Sequence, residues 1–411
     1  MNQSAVCAIS RQGYAKATSY GFLSNLTPDQ SLMRLWADAN PTKVIQTFRP
    51  FAKCSDRDDG DTLPVSCGCP ASTPPITGED MSATIAAGES RAPSVSKASA
   101  LPDYAPIPKS ALGPALNEQG YYVGRVERNL YWVTDGVYQS AFLTTRDGVV
   151  LLDAPPTIGN NLRRAVDEIA SANGVSNKIT HLIYSHHHAD HVGASSVFDT
   201  NVTRIGHEET RRLLLRDNDA ARPVPDEIFQ DSRTLEIGGE RIVLEWRGSN
   251  HTPDNIFIHL PDHDTLMLID IVNIRWAPFG IVNLSEDIPG FIEAPATALS
   301  YPWKHFIGGH LGRLGTRDDV LLHQQYMGDI VENVKSAITK VEFAPYAEKY
   351  GDNAWAAVKG YLDAITDMAA APVITKYTGV LAAADVYTAS TTFWLMESLR
   401  LDLGLASWVH P

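Results

Sequence analysis

The stretch Ile179-Thr180-His181-Leu182-Ile183-Tyr184 runs without a break into Ser185-His186-His187-His188-Ala189-Asp190-His191. The first part is short and mostly apolar, and it reads as a buried strand. The second part crowds four donor-type side chains, His186, His188, Asp190 and His191, into six residues. A strand end flowing into a loop can turn alternate side chains toward one point. Imidazole together with carboxylate suits zinc, iron or manganese. With 13 His in 411 residues, chance would give an H-x-H-x-D-H string in on the order of one sequence in a thousand. His187, the middle of the triple, alternates away from its neighbours and reads as a supporting or exposed residue rather than a ligand.

Working outward, the flanking sequence alternates strands and helices. Strand-like runs cover residues 121–134 and 138–145. A turn at Arg146-Asp147-Gly148 leads into the apolar run Val149-Val150-Leu151-Leu152, which stops at Asp153. Residues 161–173 repeat apolar positions at helical spacing and end at Gly174, a residue suited to close a helix. Further strands are expected at 203–206, 234–237, 240–246, 255–260 and 265–269, with a helix near 208–216. Such interleaving indicates a layered α/β or α+β domain. From Thr316 onward the pattern is nearly all helical, in three stretches.

Two metal ions need more donors than one hexapeptide supplies, and the later sequence offers them beside short apolar strands. His251 lies in Gly248-Ser249-Asn250-His251-Thr252-Pro253-Asp254. Asp270 ends the run Thr265-Leu266-Met267-Leu268-Ile269, where a buried unpaired carboxylate would be costly. His310 follows Phe306-Ile307-Gly308-Gly309, whose glycines permit close backbone approach. Five His and two Asp then make seven donors, enough for two ions sharing one bridging carboxylate.

This pattern resembles the metallo-β-lactamase superfamily: H-H-H-A-D-H, a G-x-x-H-T-P loop, a strand-end Asp and a late G-G-H. The resemblance spans roughly residues 118–320 and implies an α+β fold, an αββα four-layer sandwich. It implies a first metal on His186, His188 and His251, and a second on Asp190, His191 and His310, with Asp270 bridging both. It also implies that Asp153 supports the metal-bearing loops without touching an ion. A bridging Asp resembles the glyoxalase II, lactonase and phosphodiesterase branches. True β-lactamases of this fold carry Cys, or no bridging carboxylate, at that place. Nuclease branches carry a large domain inserted near the later ligands, whereas here His251 and Asp270 lie only 19 residues apart. Flavodiiron relatives place Glu where His188 stands.

The expected organisation is an N-terminal extension and linker over residues 1–117, a catalytic domain over 118–320 and a helical extension over 321–411. Thr27-Pro28 opens one short helix. Eight of the 25 prolines fall between Pro70 and Pro114, in a stretch too poor in apolar residues to offset its ordering entropy. The four cysteines, Cys7, Cys54, Cys67 and Cys69, all lie in that extension. They are too few for a disulfide scaffold, and they lack the second pair of a zinc ribbon. The net charge of −14 leaves no basic surplus for a nucleic-acid partner. No apolar run reaches the length of a membrane span and the first residues lack a secretory pattern, so a soluble, cytoplasmic protein is expected.

The expected activity is that of a zinc-dependent dinuclear hydrolase. A water shared by two ions becomes the attacking hydroxide, oriented by Asp190, and the target is a lactone, ester or thioester of a small molecule. Two rivals remain, a mononuclear iron oxidoreductase of the persulfide dioxygenase type and a β-lactam hydrolase. Trp276 and Phe279 are candidates either for a pocket wall or for ordinary core packing. No G-x-S-x-G elbow offers a serine alternative.

Overall fold

A computed structural model describes residues 102–198 and 200–404. The short helix read at Thr27-Pro28, most of the Pro-rich stretch and all four cysteines lie outside these residues.

Seven strands form the first sheet in chain order: β1 (Tyr122–Glu127), β2 (Leu130–Thr134), β3 (Gln139–Thr145), β4 (Gly148–Leu152), β5 (Ile179–Ile183), β6 (Thr203–His207) and β7 (Glu227–Phe229). The first four pair antiparallel through tight turns, and β4 to β7 run parallel. The strand-like run at 121–134 is thus a hairpin. Its turn at Arg128-Asn129 places Arg128 in the left-handed region, with φ 48°. The second sheet holds β8 (Ser232–Ile237), β9 (Glu240–Glu245), β10 (Phe257–Leu260), β11 (Thr265–Met267) and β12 (His305–Ile307), in the order β12-β11-β10-β9-β8. Its pairs are antiparallel except β11 with β12.

Side chains alternate between the two faces of a strand, and here both faces are covered. From β2, Leu130 and Trp132 enter the layer between the sheets, while Tyr131 and Val133 face the outer helix Asn160–Asn173. From β4, Val150 and Leu152 point inward, and Val149 and Leu151 outward. In the second sheet Ile258 and Met267 join the inner layer, while Phe257 and Leu266 face helices on the far side. This is the αββα sandwich.

The far helical layer is built by Ile288–Ser300, Arg317–Ile338, Ala354–Tyr377 and Ala384–Leu401. Phe291, Val320, Tyr326, Ile330, Val334, Ile365, Val373 and Leu395 fill one cluster with the outer face of the second sheet. Each such side chain, fully buried, contributes about 1.5–3 kcal/mol. The helix Arg317–Ile338 opens on a capping box between Thr316 and Asp319. The Asp319 carboxylate also pairs with Arg275 at 2.6 Å and Arg313 at 2.9 Å, so one helix start anchors two loops that leave the second sheet. From Tyr104 onward the described residues form one compact unit. No helix among them is long and apolar enough to cross a membrane.

Candidate metal centre

The parallel strands aim their carboxyl ends at one end of the sandwich. Asp153 follows β4, the Ser185–His191 loop follows β5, Asp270 follows β11, and His310 follows β12. His251 comes from the loop joining β9 to β10. Asp153 and Asp270 both take left-handed backbone conformations, φ 62° and 64°, which Asp tolerates better than most residues. Close approach fixes the glycines before His310. A Cβ on Gly308 would lie 2.4 Å from the Val272 carbonyl oxygen, and one on Gly309 would meet Ile269 at 2.7 Å.

The structure brings all seven donors named from the sequence to one place. They fall into two groups, His186, His188, His251 and Asp270, and Asp190, His191, His310 and Asp270, with Asp270 common to both. Asp270 Oδ2 lies 3.1 Å from His251 Nε2, 3.1 Å from His191 Nε2 and 3.6 Å from His186 Nε2. Its Oδ1 lies 3.0 Å from His310 Nε2. Asp190 Oδ2 stands 3.5 Å from His191 Nε2 and 3.6 Å from His310 Nε2. Two donors on one tetrahedral zinc at about 2.1 Å sit roughly 3.4 Å apart, so this spacing fits a metal. The buried His186 Nε2 has no hydrogen-bond partner, a costly arrangement unless an ion supplies one. The donor set fits two divalent ions of the zinc, iron or manganese kind.

Electrostatics divide the two groups. Burial pushes His186 well below its ordinary value, helped by His188 and His191, and holds His188 down to about 4. These imidazoles are neutral, the form a ligand needs. Burial alone would raise Asp270, but the facing His191, His310 and His251 hold it well below the carboxylate range. Burial also works against a charge on His310, yet the facing Asp270 and Asp190 carry it up to about 10. Asp153 is no donor of either group. Burial raises it to about 6, and its Oδ1 accepts the Ser185 N–H at 2.8 Å, which fixes the start of the histidine loop.

Several neighbours carry no sequence signal. Tyr138 lies with its ring 4.7 Å from that of His310 and 5.8 Å from His191. The Gln139 side-chain amide donates to carbonyls of the His310 loop, and the Gln139 N–H donates to Gly309 O at 2.7 Å. Residues 281–284 make a left-handed turn, with φ between 52° and 59° at Ile281, Val282, Asn283 and Leu284. Asn283 ties that turn to the centre: its Nδ2 donates to Asp270 O at 3.0 Å, and its Oδ1 accepts from Phe279 N–H at 2.9 Å. Phe279 stands 6.1 Å from His310, ring to ring, at the wall of the site. Trp276 turns away, donating to Ala111 O at 3.3 Å. His187 pairs with Asp254 at 2.9 Å behind the loop, and with His188 and the exposed Glu286 it forms a third cluster of donor atoms within 4.8 Å of one another. Sequence reading passed over Asp254, although it closes the H-T-P-D string. Glu286 has no spacing signal at all.

Residues 133–298 match the family described as Metallo-beta-lactamase superfamily. That segment is about four-tenths of the chain, and the αββα sandwich around it has the fold of this superfamily, whose proteins are generally metal-dependent hydrolases. Among curated relatives, the chain is 24% identical over 219 residues to 2,4-dinitroanisole O-demethylase subunit alpha of Nocardioides sp. (strain JS1661), covering 52% of this chain and 63% of that one. It is 27% identical over 150 residues to metallo-beta-lactamase IND-1 of Chryseobacterium indologenes, covering 34% and 60% respectively. The chain thus spans about six-tenths of the length of these relatives. A solved metallo-beta-lactamase from Pontibacter korlensis overlays 50% of this chain and 97% of its own at 20% identity and a TM-score of 0.43.

Proposed function

We propose that the chain is a dinuclear metal hydrolase, zinc-dependent, that cleaves an ester-like carbonyl bond in a lactone, ester or thioester of a small molecule. One observation carries this reading: a single buried carboxylate, Asp270, presents both its oxygens to two histidine groups at 3.0–3.6 Å. Two divalent ions held there would acidify a water molecule and polarise a carbonyl.

The remaining chemistry belongs to the side chains. His186, His188 and His251 would hold one ion, and Asp190, His191 and His310 the other, with Asp270 between them. Asp190 is the most exposed of the seven, its side chain 37% accessible, so one oxygen can ligate while the carboxylate faces substrate. There it orients the attacking water and takes its proton at a carboxylate oxygen. Tyr138 and Phe279 supply an aromatic wall at the His310 side, which suits an apolar acyl or aryl group.

A second reading is β-lactam hydrolysis, favoured by the β-lactamases among the relatives. Against it stands Asp270, a carboxylate at the place where the family resemblance implies Cys or no bridging carboxylate in a true β-lactamase. The O-demethylase relative adds an aryl methyl ether to the compounds worth testing. The test is hydrolysis by purified protein of a lactone, an aryl ester, a thioester, a phosphodiester, an aryl methyl ether and a chromogenic β-lactam, each with and without chelator. Chelator-sensitive cleavage fastest on a carbonyl ester supports the proposal. Fastest cleavage of the β-lactam favours the second reading. No cleavage by metal-loaded protein overturns both and returns the iron oxidoreductase, checked by oxygen uptake.

A further inference from the structure

Most arginines of the sandwich sit on a carboxylate, as Arg163, Arg212, Arg222 and Arg233 do. Three that do not, Arg125, Arg128 and Arg146, line one cavity of about 340 Å³. Asn129, Tyr131, Thr145 and Asn173 share its wall. The cavity lies between the β1–β2 turn, the β3–β4 turn and the end of the helix Asn160–Asn173. β4 begins at this end and delivers Asp153 at the other, so the cavity and the metal donors occupy opposite ends of the sandwich.

Each guanidinium is held in place while keeping donors to spare. Arg125 lies over the Tyr131 ring at 5.4 Å. Arg128 donates through one terminal nitrogen to Asp262 O at 3.0 Å, and Arg146 through Nε to Gly238 O at 3.0 Å. An arginine anchored by one N–H and still offering the rest of its fork loses little freedom when it meets an oxyanion. The one carboxylate in the wall, Glu240, keeps its Oε2 buried, away from the arginines' solvent-facing donors. It accepts from Asn129 Nδ2 at 3.1 Å and faces the buried His263 at 3.6 Å. Asn173 donates to the Tyr131 hydroxyl at 2.9 Å, which leaves the phenolic proton free to donate. In a chain of net charge −14, three arginines converging without an ion-pair partner make a local positive patch that attracts an anion.

We propose that this cavity is a second binding site, distinct from the metal centre, for a phosphorylated small molecule. Three forks match the non-bridging oxygens of phosphate groups. The hydroxyls of Thr145 and Tyr131 serve the hydroxyls of a sugar-sized body, for which the volume is adequate.

The experiment is calorimetric titration of the full chain with a hexose bisphosphate at low ionic strength, with orthophosphate and citrate as comparison anions. Three proteins are titrated: the unaltered chain, the triple variant Arg125→Gln/Arg128→Gln/Arg146→Gln, and Asp270→Ala. All three arginines are exposed, so the triple variant is expected to fold, and an unchanged circular dichroism spectrum and melting temperature check this. Saturable binding that the triple variant weakens by about tenfold or more, and that Asp270→Ala leaves unchanged, is the expected result. Citrate binding as tightly as the bisphosphate would overturn the phosphate assignment. Absence of binding at millimolar ligand, or binding lost in Asp270→Ala and kept in the triple variant, would overturn the site.

Discussion

Asp190 and Asp270 are both carboxylates of the same centre, yet their settings divide their work. Asp270 is buried among four imidazoles, so its charge is committed to holding the centre together. Asp190 faces outward enough to meet substrate and water. We therefore expect Asp190→Ala to lower kcat by about 10²–10⁴-fold while the circular dichroism spectrum and melting temperature stay near those of the parent. Turnover within a few-fold of the parent would contradict the assigned role. The seven donors are legible in the sequence because four crowd into one H-x-H-x-D-H string after an apolar strand, Asp270 and His310 follow further short apolar runs, and His251 lies in a loop between strands. Tyr138, Asn283 and Glu286 are not legible, because they reach the centre through loop geometry that no local pattern encodes. The direction of Trp276 is equally hidden: only the packed chain shows Phe279 at the site and Trp276 turned toward Ala111.

The turn at residues 281–284 illustrates what one element costs and what holds it. Left-handed backbone costs an L-residue about 1–2 kcal/mol, and Ile281 and Val282, being branched at Cβ, suit it poorly. The Asn283 hydrogen bonds to Asp270 and Phe279 offset this strain and lock the turn to the centre. Ile281 is exposed, so Ile281→Gly should relieve strain and raise stability by about 1 kcal/mol, read as a higher melting temperature. A clear fall would show that the turn is unstrained. The helix Arg317–Ile338 carries a different test. Its His323 is fully buried against Phe291, and burial pushes it from 6.5 down to about 4. Above pH 6.5 the folded and unfolded chains both hold it neutral. Below that, only the unfolded chain takes up the proton, so stability falls between pH 6.5 and about 4, by about 3 kcal/mol. His323→Met should remove that component of the pH dependence in urea denaturation; an unchanged slope would contradict it. Helical spacing made Arg317–Ile338 legible from sequence. The helix Ile288–Ser300 was hidden by Gly290 and Pro295, residues that weaken a helix interior, whereas Pro289 sits in the first turn, where Pro fits.

At the scale of the molecule, the helical tail supplies half of a core. Phe257, Leu266 and Phe306 of the second sheet, with Leu268 just after β11, are buried with Tyr326, Ile330, Ile365 and Leu395 from helices after Thr316. A chain ending at residue 316 should therefore be insoluble or bind hydrophobic dyes strongly; a soluble, cooperatively folding product would show that the sandwich stands without its tail. A layered domain was legible because strands and helices alternate on both sides of the histidine string, and the αββα arrangement followed from the resemblance that the ligand motifs carry. The way the tail packs was not, since helical periodicity shows that a face is buried but not against what. The central claim is that two ions bridged by Asp270 make a hydrolytic centre. Its most direct test is to strip the protein with chelator, return zinc stepwise, and follow cleavage of an aryl ester in the parent and in Asp270→Ala. Activity that rises to a plateau at two equivalents in the parent, with Asp270→Ala binding fewer ions and remaining inactive, is the predicted result. A plateau at one equivalent, or unimpaired two-ion activity in Asp270→Ala, would contradict it.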